Sequence, residues 1–262
     1  MRTFAIHSYK GGTGKTTLAA NLAAIMAKKG HDVAILDTDF QAPSLHTLFG
    51  IAARSAYIND FLSEKVKHTE ILTDIGSSFD LSGQLLVGFS DPNVEAIREQ
   101  LAKDRKWHMQ AISQLLVLKQ KLEKEGFDYF ILDSAPGVHY SSVNTIVVSD
   151  FTIIVAKIDN FDFDGTAHLL DELYGPLNKN TMLLFNKVVP NLLESSSSSG
   201  MIDMVKEMFE NKTQLLGFLP CYCNVPLGMG SEVLALTQPD LPFIKQLSEI
   251  EQKIENAEFP GE

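Results

Sequence analysis

The chain has 262 residues, of which 45% are hydrophobic, and its formal net charge at pH 7 is −11. This length and composition suffice for one α/β domain with a sizeable core, so we expect a single domain over residues 1–262. The acidic balance argues against non-specific binding to nucleic acid, because contacts to phosphates supply most of that affinity.

The sequence also disfavours a membrane-spanning or secreted protein. Its longest apolar runs, such as 153–156 and 182–185, are far shorter than the roughly 18 to 20 residues that cross a bilayer. The N-terminus passes directly into an apolar strand pattern and lacks the features of a signal peptide, so we expect a cytoplasmic location. Cys221 and Cys223 are the only cysteines, too few for a disulfide framework.

Short apolar runs of β type alternate with helical patterns along the chain. This alternation is typical of an α/β fold in which a mostly parallel twisted sheet is flanked by helices on both faces. A helix is predicted over 15–29, two helices over 93–125 and a terminal helix over 241–254, while the serine run 195–199 predicts a surface loop. The predicted strands are 3–7, 32–36, 84–89, 129–132, 152–157, 182–185 and 216–219.

A glycine-rich loop, KGGTGKTT over residues 10–17, joins the first predicted strand to the first predicted helix. Because its glycines have no side chains, successive backbone N–H groups can surround phosphate oxygens at the start of the helix. Lys15 can then reach the β- and γ-phosphates, and the Thr16 hydroxyl can bind Mg²⁺. The residues predicted to bind the nucleotide here are Gly11, Gly12, Thr13, Gly14, Lys15, Thr16 and Thr17.

The loop departs from the common P-loop motif, G-x-x-x-x-G-K-[ST], which would have glycine where this chain has Tyr9. The pattern K-G-G-x-G-K-T-T resembles the deviant P-loop of the MinD/ParA ATPases, and the resemblance covers almost the whole chain. In that family the extra lysine, here Lys10, reaches the nucleotide of the other subunit. The resemblance therefore implies a P-loop NTPase fold and an ATP-dependent homodimer, in which Lys10 neutralises phosphoryl charge as an arginine finger does elsewhere.

Two carboxylates, Asp37 and Asp39, follow the second predicted strand at the sheet edge where α/β proteins bind ligands. The resemblance implies that Asp39 positions or activates the attacking water and that Asp37 lies near the Mg²⁺ shell. Simple capping of the following turn is the alternative for both, since aspartates often do this.

Asp133 ends the strand pattern 129–132 and matches the Walker B aspartate, which holds the Mg²⁺ hydration shell. The segment 134–137 resembles the second switch of the family, in which a backbone amide near Gly137 senses the γ-phosphate. The predicted metal-binding residues are Thr16, Asp37 and Asp133, and the predicted catalytic residues are Lys10, Lys15 and Asp39.

Asn186 ends another predicted strand, and its amide can exchange hydrogen bonds with a purine edge. Guanine-binding proteins have Asn-Lys-x-Asp here, whereas this chain has Val189 in the fourth position, which favours adenine. The resemblance adds Pro220 to the adenine contacts. An ordinary turn residue remains the alternative for Asn186.

The resemblance therefore implies a dimerising switch with ATP and Mg²⁺ as cofactors. Such a switch would hydrolyse ATP slowly, respond to a protein activator or cargo, and regulate spatial positioning or partner assembly. Two alternatives stay open: a non-hydrolytic ATP-binding adaptor, and an ATPase of metal-cofactor assembly. The latter would use Cys221 and Cys223 as half of a shared metal site, although packing is the simpler interpretation of these thiols. The terminal helix is more acidic than basic, which predicts no affinity for anionic membranes.

Overall fold

A computed structural model of the chain describes residues 1–194, 199–222, 225 and 231–259. In this part of the chain, eight strands form one sheet: β1 (Arg2–His7), β2 (Val33–Thr38), β3 (Leu72–Asp74), β4 (Leu85–Gly88), β5 (Tyr129–Ser134), β6 (Phe151–Ala156), β7 (Asn180–Val188) and β8 (Gln214–Pro220). Their order is β3-β4-β2-β5-β1-β6-β7-β8. Every neighbouring pair is parallel except β3 with β4, so a short antiparallel strand closes one edge.

Helices cover both faces of this sheet. They are α1 (Lys15–Lys28), α2 (Leu45–Leu48), α3 (Ile58–Leu62), α4 (His68–Ile71), α5 (Val94–Leu101), α6 (Arg105–Lys124), α7 (Tyr140–Val148), α8 (Asn160–His168), α9 (Asn191–Glu194), α10 (Ser199–Phe209), α11 (Leu234–Thr237) and α12 (Pro242–Glu255). A 3₁₀ turn occupies Gly76–Ser78, and a π-helical segment, Leu169–Tyr174, continues α8. None of the helices in the described ranges is long and apolar enough to span a bilayer.

The core lies on both sides of the sheet because successive side chains of a strand point to opposite faces. In β1, Phe4 and Ile6 pack with α1, α11 and α12, whereas Ala5 packs on the other face with α3 and α6. Farther along that second face, Phe185 of β7 packs with α8 and α10. Burial on both faces explains why the central strands have continuous apolar runs instead of alternating patterns.

The predicted α/β fold with helices on both faces is confirmed. Each predicted strand overlaps an observed one, although residues 32, 84, 89 and 157 lie just outside strands because side-chain patterns locate element ends poorly. Strand β3 was not predicted, since its three residues are too few to form a pattern. Of the predicted serine loop, residues 195–198 lie outside the described residues, and Ser199 begins α10.

The strand order places the carboxyl ends of β1, β2 and β5 side by side. From β1 the chain first builds the sheet toward β4, and after β6 it extends in the opposite direction toward β8. In such sheets the crevice at the point of reversal, outside the carboxyl ends of the strands, is the usual ligand site.

Candidate functional site

The glycine-rich loop leaves the carboxyl end of β1 and enters α1 at Lys15. Gly12 and Gly14 have φ values of 76° and 96°, in the left-handed region that favours glycine. A Cβ on Gly14 would also lie 2.6 Å from Nδ2 of Asn186. Since the N-cap residue of α1 is this glycine, no side chain blocks the N–H groups at the helix start, which can bind an anion.

Lys15 lies inside the loop. Its Nζ donates a hydrogen bond of 3.0 Å to Oγ of Ser8, which itself donates to the carbonyl of Lys10 at 2.5 Å. Burial lowers the pKa of Lys15, and the negative charges of Asp133 and Asp39 oppose this shift. The ammonium group therefore lies between the phosphate loop and the carboxylates of the sheet edge.

Two buried acids, Asp37 and Asp133, are paired in register because β2 and β5 are neighbours. Oδ1 of Asp37 accepts from the N–H of Asp39 at 3.1 Å, and Oδ2 accepts from Ser44 and Leu45 at 3.0 and 3.1 Å. Neither carboxylate oxygen of Asp133 accepts a hydrogen bond of normal geometry among the described residues, although the Thr16 hydroxyl is close enough to favour the ionised form. Asp37 thus organises the loop after β2, while Asp133 keeps both oxygens available for a ligand.

Burial raises the pKa of both acids. That of Asp133 is raised to about 7, with the Thr16 hydroxyl and Lys15 opposing the shift. The pKa of Asp37 is raised well above its usual range by burial and by the charge of Asp133. Adjacent desolvated carboxylates resist ionising together unless a cation joins them, and hard oxygen donors suit Mg²⁺. Asp133, Asp37 and the Thr16 hydroxyl therefore fit a magnesium site.

Asp39 lies in the turn that follows β2. Its Oδ1 accepts from the N–H groups of Gln41 and Ala42 at 3.2 and 3.1 Å, so it caps this turn as the simpler interpretation expects. Its charge also acts on Lys15 and Asp133. The side chain is therefore both a structural cap and part of the charged cluster at the phosphate loop.

Hydrogen bonds join the segment after β5 to the end of β1 and the start of the phosphate loop. The N–H of Gly137 donates to the carbonyl of Ser8 at 2.8 Å. Nε2 of His7 lies 2.9 Å from the Gly137 carbonyl, and Nδ1 lies 2.7 Å from the Tyr174 hydroxyl. Because a carbonyl only accepts, Nε2 carries the proton and Nδ1 accepts from the phenol. Burial lowers the pKa of His7 to about 4, which keeps the ring neutral.

A cavity of about 490 Å³ opens beside the loop, next to Gly14 and Thr17. Asn186 and Pro220 both line it, so the structure brings these two sequence-predicted residues together. Strand β7 continues to Val188, so Asn186 lies within the strand and not at its end, and its Nδ2 donates to the Thr13 carbonyl at 2.8 Å.

The far wall of this cavity is more apolar. Tyr222 and Phe243 line it and pack against each other edge to face, with ring centroids 5.9 Å apart. Cys221 also lines the cavity and is exposed, whereas Cys223 lies outside the described residues. The sequence-predicted pairing of these thiols in a metal half-site therefore stays a hypothesis.

Lys10 has different surroundings from Lys15. Its Nζ lies 4.5 Å from the ring centroid of Phe161, a side chain that is 75% exposed. The two lysines of the loop therefore face different environments, Lys15 the interior of the loop and Lys10 the surface.

Large exposed apolar side chains surround the loop at the same edge of the sheet. We call this set the apolar rim: Tyr9, Val138, Tyr140 and Phe161, each at least 40% exposed. Tyr9 is held against Gly165, where a Cβ would meet the tyrosine ring at 1.9 Å. Grouped apolar exposure beside a ligand site is typical of a protein-binding surface.

Comparison with known proteins finds relatives along most of the chain. A family model described as an AAA domain matches residues 1–184. The sporulation initiation inhibitor protein Soj of Bacillus subtilis is 28% identical over 216 residues, covering 80% of this chain and 81% of Soj. The iron-sulfur cluster carrier protein of Clostridium perfringens is 28% identical over 233 residues, covering 85% of this chain and 74% of that protein.

A solved structure has the same fold. The septum site-determining protein MinD of Pyrococcus horikoshii OT3, complexed with Mg-ADP, matches with a TM-score of 0.74 at 16% sequence identity. The match covers 97% of this chain and 96% of that one, so the fold is shared from end to end.

Proposed function

Since the chain belongs to the MinD/ParA family of P-loop ATPases, we propose that it is a Mg-ATP-dependent switch that dimerises when ATP is bound and separates after hydrolysis. The observation that carries this proposal is the different placement of the two loop lysines. Lys15 is buried in its own loop, whereas Lys10 lies over the exposed ring of Phe161. A lysine at the surface beside the apolar rim is suited to reach a second subunit.

In the proposed nucleotide site, the N–H groups of the loop and of the start of α1 bind the phosphates, and Lys15 neutralises the β- and γ-phosphates. The adenine occupies the cavity beside Asn186 and Pro220. Thr16 and Asp133 would hold Mg²⁺, and Asp37 lies beside Asp133 on the neighbouring strand. When bound, Mg²⁺ supplies neutralisation of the charge that develops on the phosphoryl oxygens.

Hydrolysis requires an ordered water molecule in line with the γ-phosphate. We assign its orientation to Asp39, whose Oδ1 is occupied by two backbone N–H groups, so that Oδ2 is the oxygen that accepts from the water. Lys10 of the other subunit completes the site, which makes hydrolysis depend on dimerisation. The apolar rim around the loop supports this arrangement, because it supplies surface that a second subunit or an activator can bury.

Light scattering of the purified protein with ADP and with ATP tests dimerisation and the role of Lys10 together. We expect the mass of a dimer for the wild type with ATP and of a monomer with ADP, and a monomer in both cases for Lys10→Ala. Lys124→Ala is a matched control, because this exposed lysine ends α6 at the opposite edge of the sheet. A wild type that stays monomeric with ATP would show that the dimer model is wrong.

Measuring the release of phosphate from ATP distinguishes the proposed switch from a non-hydrolytic adaptor. The switch predicts turnover by the wild type that Asp39→Ala removes, with dimerisation by ATP retained. An adaptor would dimerise with ATP and release no phosphate above background in either protein. Equal turnover in the wild type and Asp39→Ala would remove the role given to Asp39.

A second candidate function is metal-cofactor assembly, which the iron-sulfur cluster carrier of Clostridium perfringens and the exposed thiol of Cys221 support. This function predicts iron in anaerobically purified protein, lost in Cys221→Ser and Cys223→Ser. Elemental analysis that finds no iron would exclude it.

A further inference from the structure

Metal-ligating side chains also meet at the amino edge of the sheet, opposite the nucleotide site. His31 lies just before β2, and Glu251 and Glu255 lie one turn apart on α12. One ligand atom from each of the three lies within 4.8 Å of the others. Three side chains from two distant segments therefore converge on one point.

Glu251 is the strongest indication that this point binds a cation. Its side chain is fully buried, and Oε2 accepts from Nζ of Lys29. Oε1 has no hydrogen-bond partner among the described residues. A buried, unpartnered carboxylate oxygen is costly, because it loses water without gaining a donor. A cation beside Oε1 would remove that cost.

The imidazole of His31 has a carboxylate near each of its ring nitrogens. Nε2 lies 3.5 Å from Oε1 of Glu255, and Nδ1 lies 3.7 Å from Oδ2 of Asp128. The Asp128 carboxylate is itself fixed by the N–H of Asp32 at 2.9 Å. Tyr129 packs edge-on against the imidazole, with centroids 5.1 Å apart and planes at 87°. One ring nitrogen toward the metal and the other toward a carboxylate is the usual arrangement of histidine ligands.

We propose that His31, Glu251 and Glu255 bind a divalent transition-metal ion, with Asp128 as the carboxylate that orients His31. One imidazole and two carboxylates leave a fourth position for water, a donor set that suits Zn²⁺ and its spectroscopic substitute Co²⁺. Imidazole distinguishes this site from the all-oxygen donors at the phosphate loop, which suit Mg²⁺. The ion would join the end of α12 to the segment between α1 and β2, and so has a structural role.

Titration with Zn²⁺ or Co²⁺ tests the site. The protein carries Cys221→Ser and Cys223→Ser to remove the thiols, and saturating Mg-ADP fills the nucleotide site. We expect one Zn²⁺ per chain, and visible absorption of four-coordinate Co²⁺ that Zn²⁺ abolishes. His31→Ala and Glu255→Gln should each weaken binding about tenfold or more, and Asp128→Asn by about 10- to 100-fold.

His168→Ala is the matched control, since this exposed histidine faces Glu172 at 3.7 Å outside any three-ligand group in the described part of the chain. It should bind Zn²⁺ as tightly as the parent protein, which carries only Cys221→Ser and Cys223→Ser.

Thermal unfolding gives a second measurement. At a concentration about 100 times its dissociation constant, Zn²⁺ should raise the melting temperature of the parent protein by about 5 °C, and that of His31→Ala much less. Absence of stoichiometric binding, or equal affinity in His31→Ala and Glu255→Gln, would overturn the proposal. Glu255 is exposed, so Glu255→Gln keeps the test decisive if His31→Ala fails to fold.

Discussion

Acidification from pH 7 to pH 5 should destabilise the protein through His7. This ring is fully buried, and the folded state holds it neutral with a pKa of about 4, against 6.5 for an exposed histidine. Between these values the unfolded chain binds a proton that the folded chain does not, so stability falls as the pH is lowered. From these two pKa values, the free energy of unfolding should fall by about 2 kcal/mol between pH 7 and pH 5. The whole decrease, reached below pH 4, is about 3 kcal/mol.

The structural reason is that both ring nitrogens are already committed. Nδ1 accepts from the Tyr174 hydroxyl, and Nε2 donates to the Gly137 carbonyl. A proton on Nδ1 would remove the acceptor that Tyr174 uses, and it would place a positive charge near that of Lys15. The protonated ring therefore loses a hydrogen bond and gains repulsion.

Urea unfolding of the nucleotide-free protein at pH 7 and pH 5, followed by circular dichroism, measures this effect. His7→Gln is the reference protein. The raised pKa values of Asp37 and Asp133 make acidification stabilising, which opposes the effect of His7. Both acids are present in the wild type and in the variant, so the difference between the two proteins isolates His7. Between pH 7 and pH 5 the wild type should lose about 2 kcal/mol more than the variant. An identical pH dependence in the two proteins would refute the reasoning.

Three substitutions test the geometry of the nucleotide site. Gly14→Ala should abolish ADP binding in calorimetry, because φ is 96° and the new Cβ would lie 2.6 Å from Nδ2 of Asn186; wild-type affinity would contradict the loop geometry. Gly165→Ala should lower the melting temperature, because the new Cβ displaces the Tyr9 ring. Adding Tyr9→Ala to that variant should recover part of the loss. Additive losses would mean that residues 9 and 165 do not touch. Asp133→Asn should stabilise the nucleotide-free protein by about 1–3 kcal/mol at pH 8, because burial destabilises the carboxylate more than Lys15 and Thr16 stabilise it. The same variant should lose the thermal stabilisation by Mg-ADP. A less stable variant that still responds to Mg-ADP would contradict both expectations.

The sequence by itself determined the α/β fold and the phosphate loop. Both depend on local information: apolar runs separated by helical patterns, and a glycine loop between a strand and a helix. It also predicted that Asp37 and Asp133 lie at the same edge of the sheet, but only the strand order, with β2 beside β5, makes them direct neighbours. Turn capping by Asp39 was open in the sequence, and the hydrogen bonds to Gln41 and Ala42 show that it occurs.

Only the tertiary structure decided which distant side chains meet. His7 and Tyr174 are 167 positions apart, and their hydrogen bond depends on the packing of the π-helical segment against β1. The convergence of His31 with Glu251 depends in the same way on how α12 packs at the end of α1. Neither pair leaves a periodic or spaced pattern in the sequence, because each is created by the approach of separate elements. Local propensity specifies the elements, but their packing specifies which polar groups are buried together.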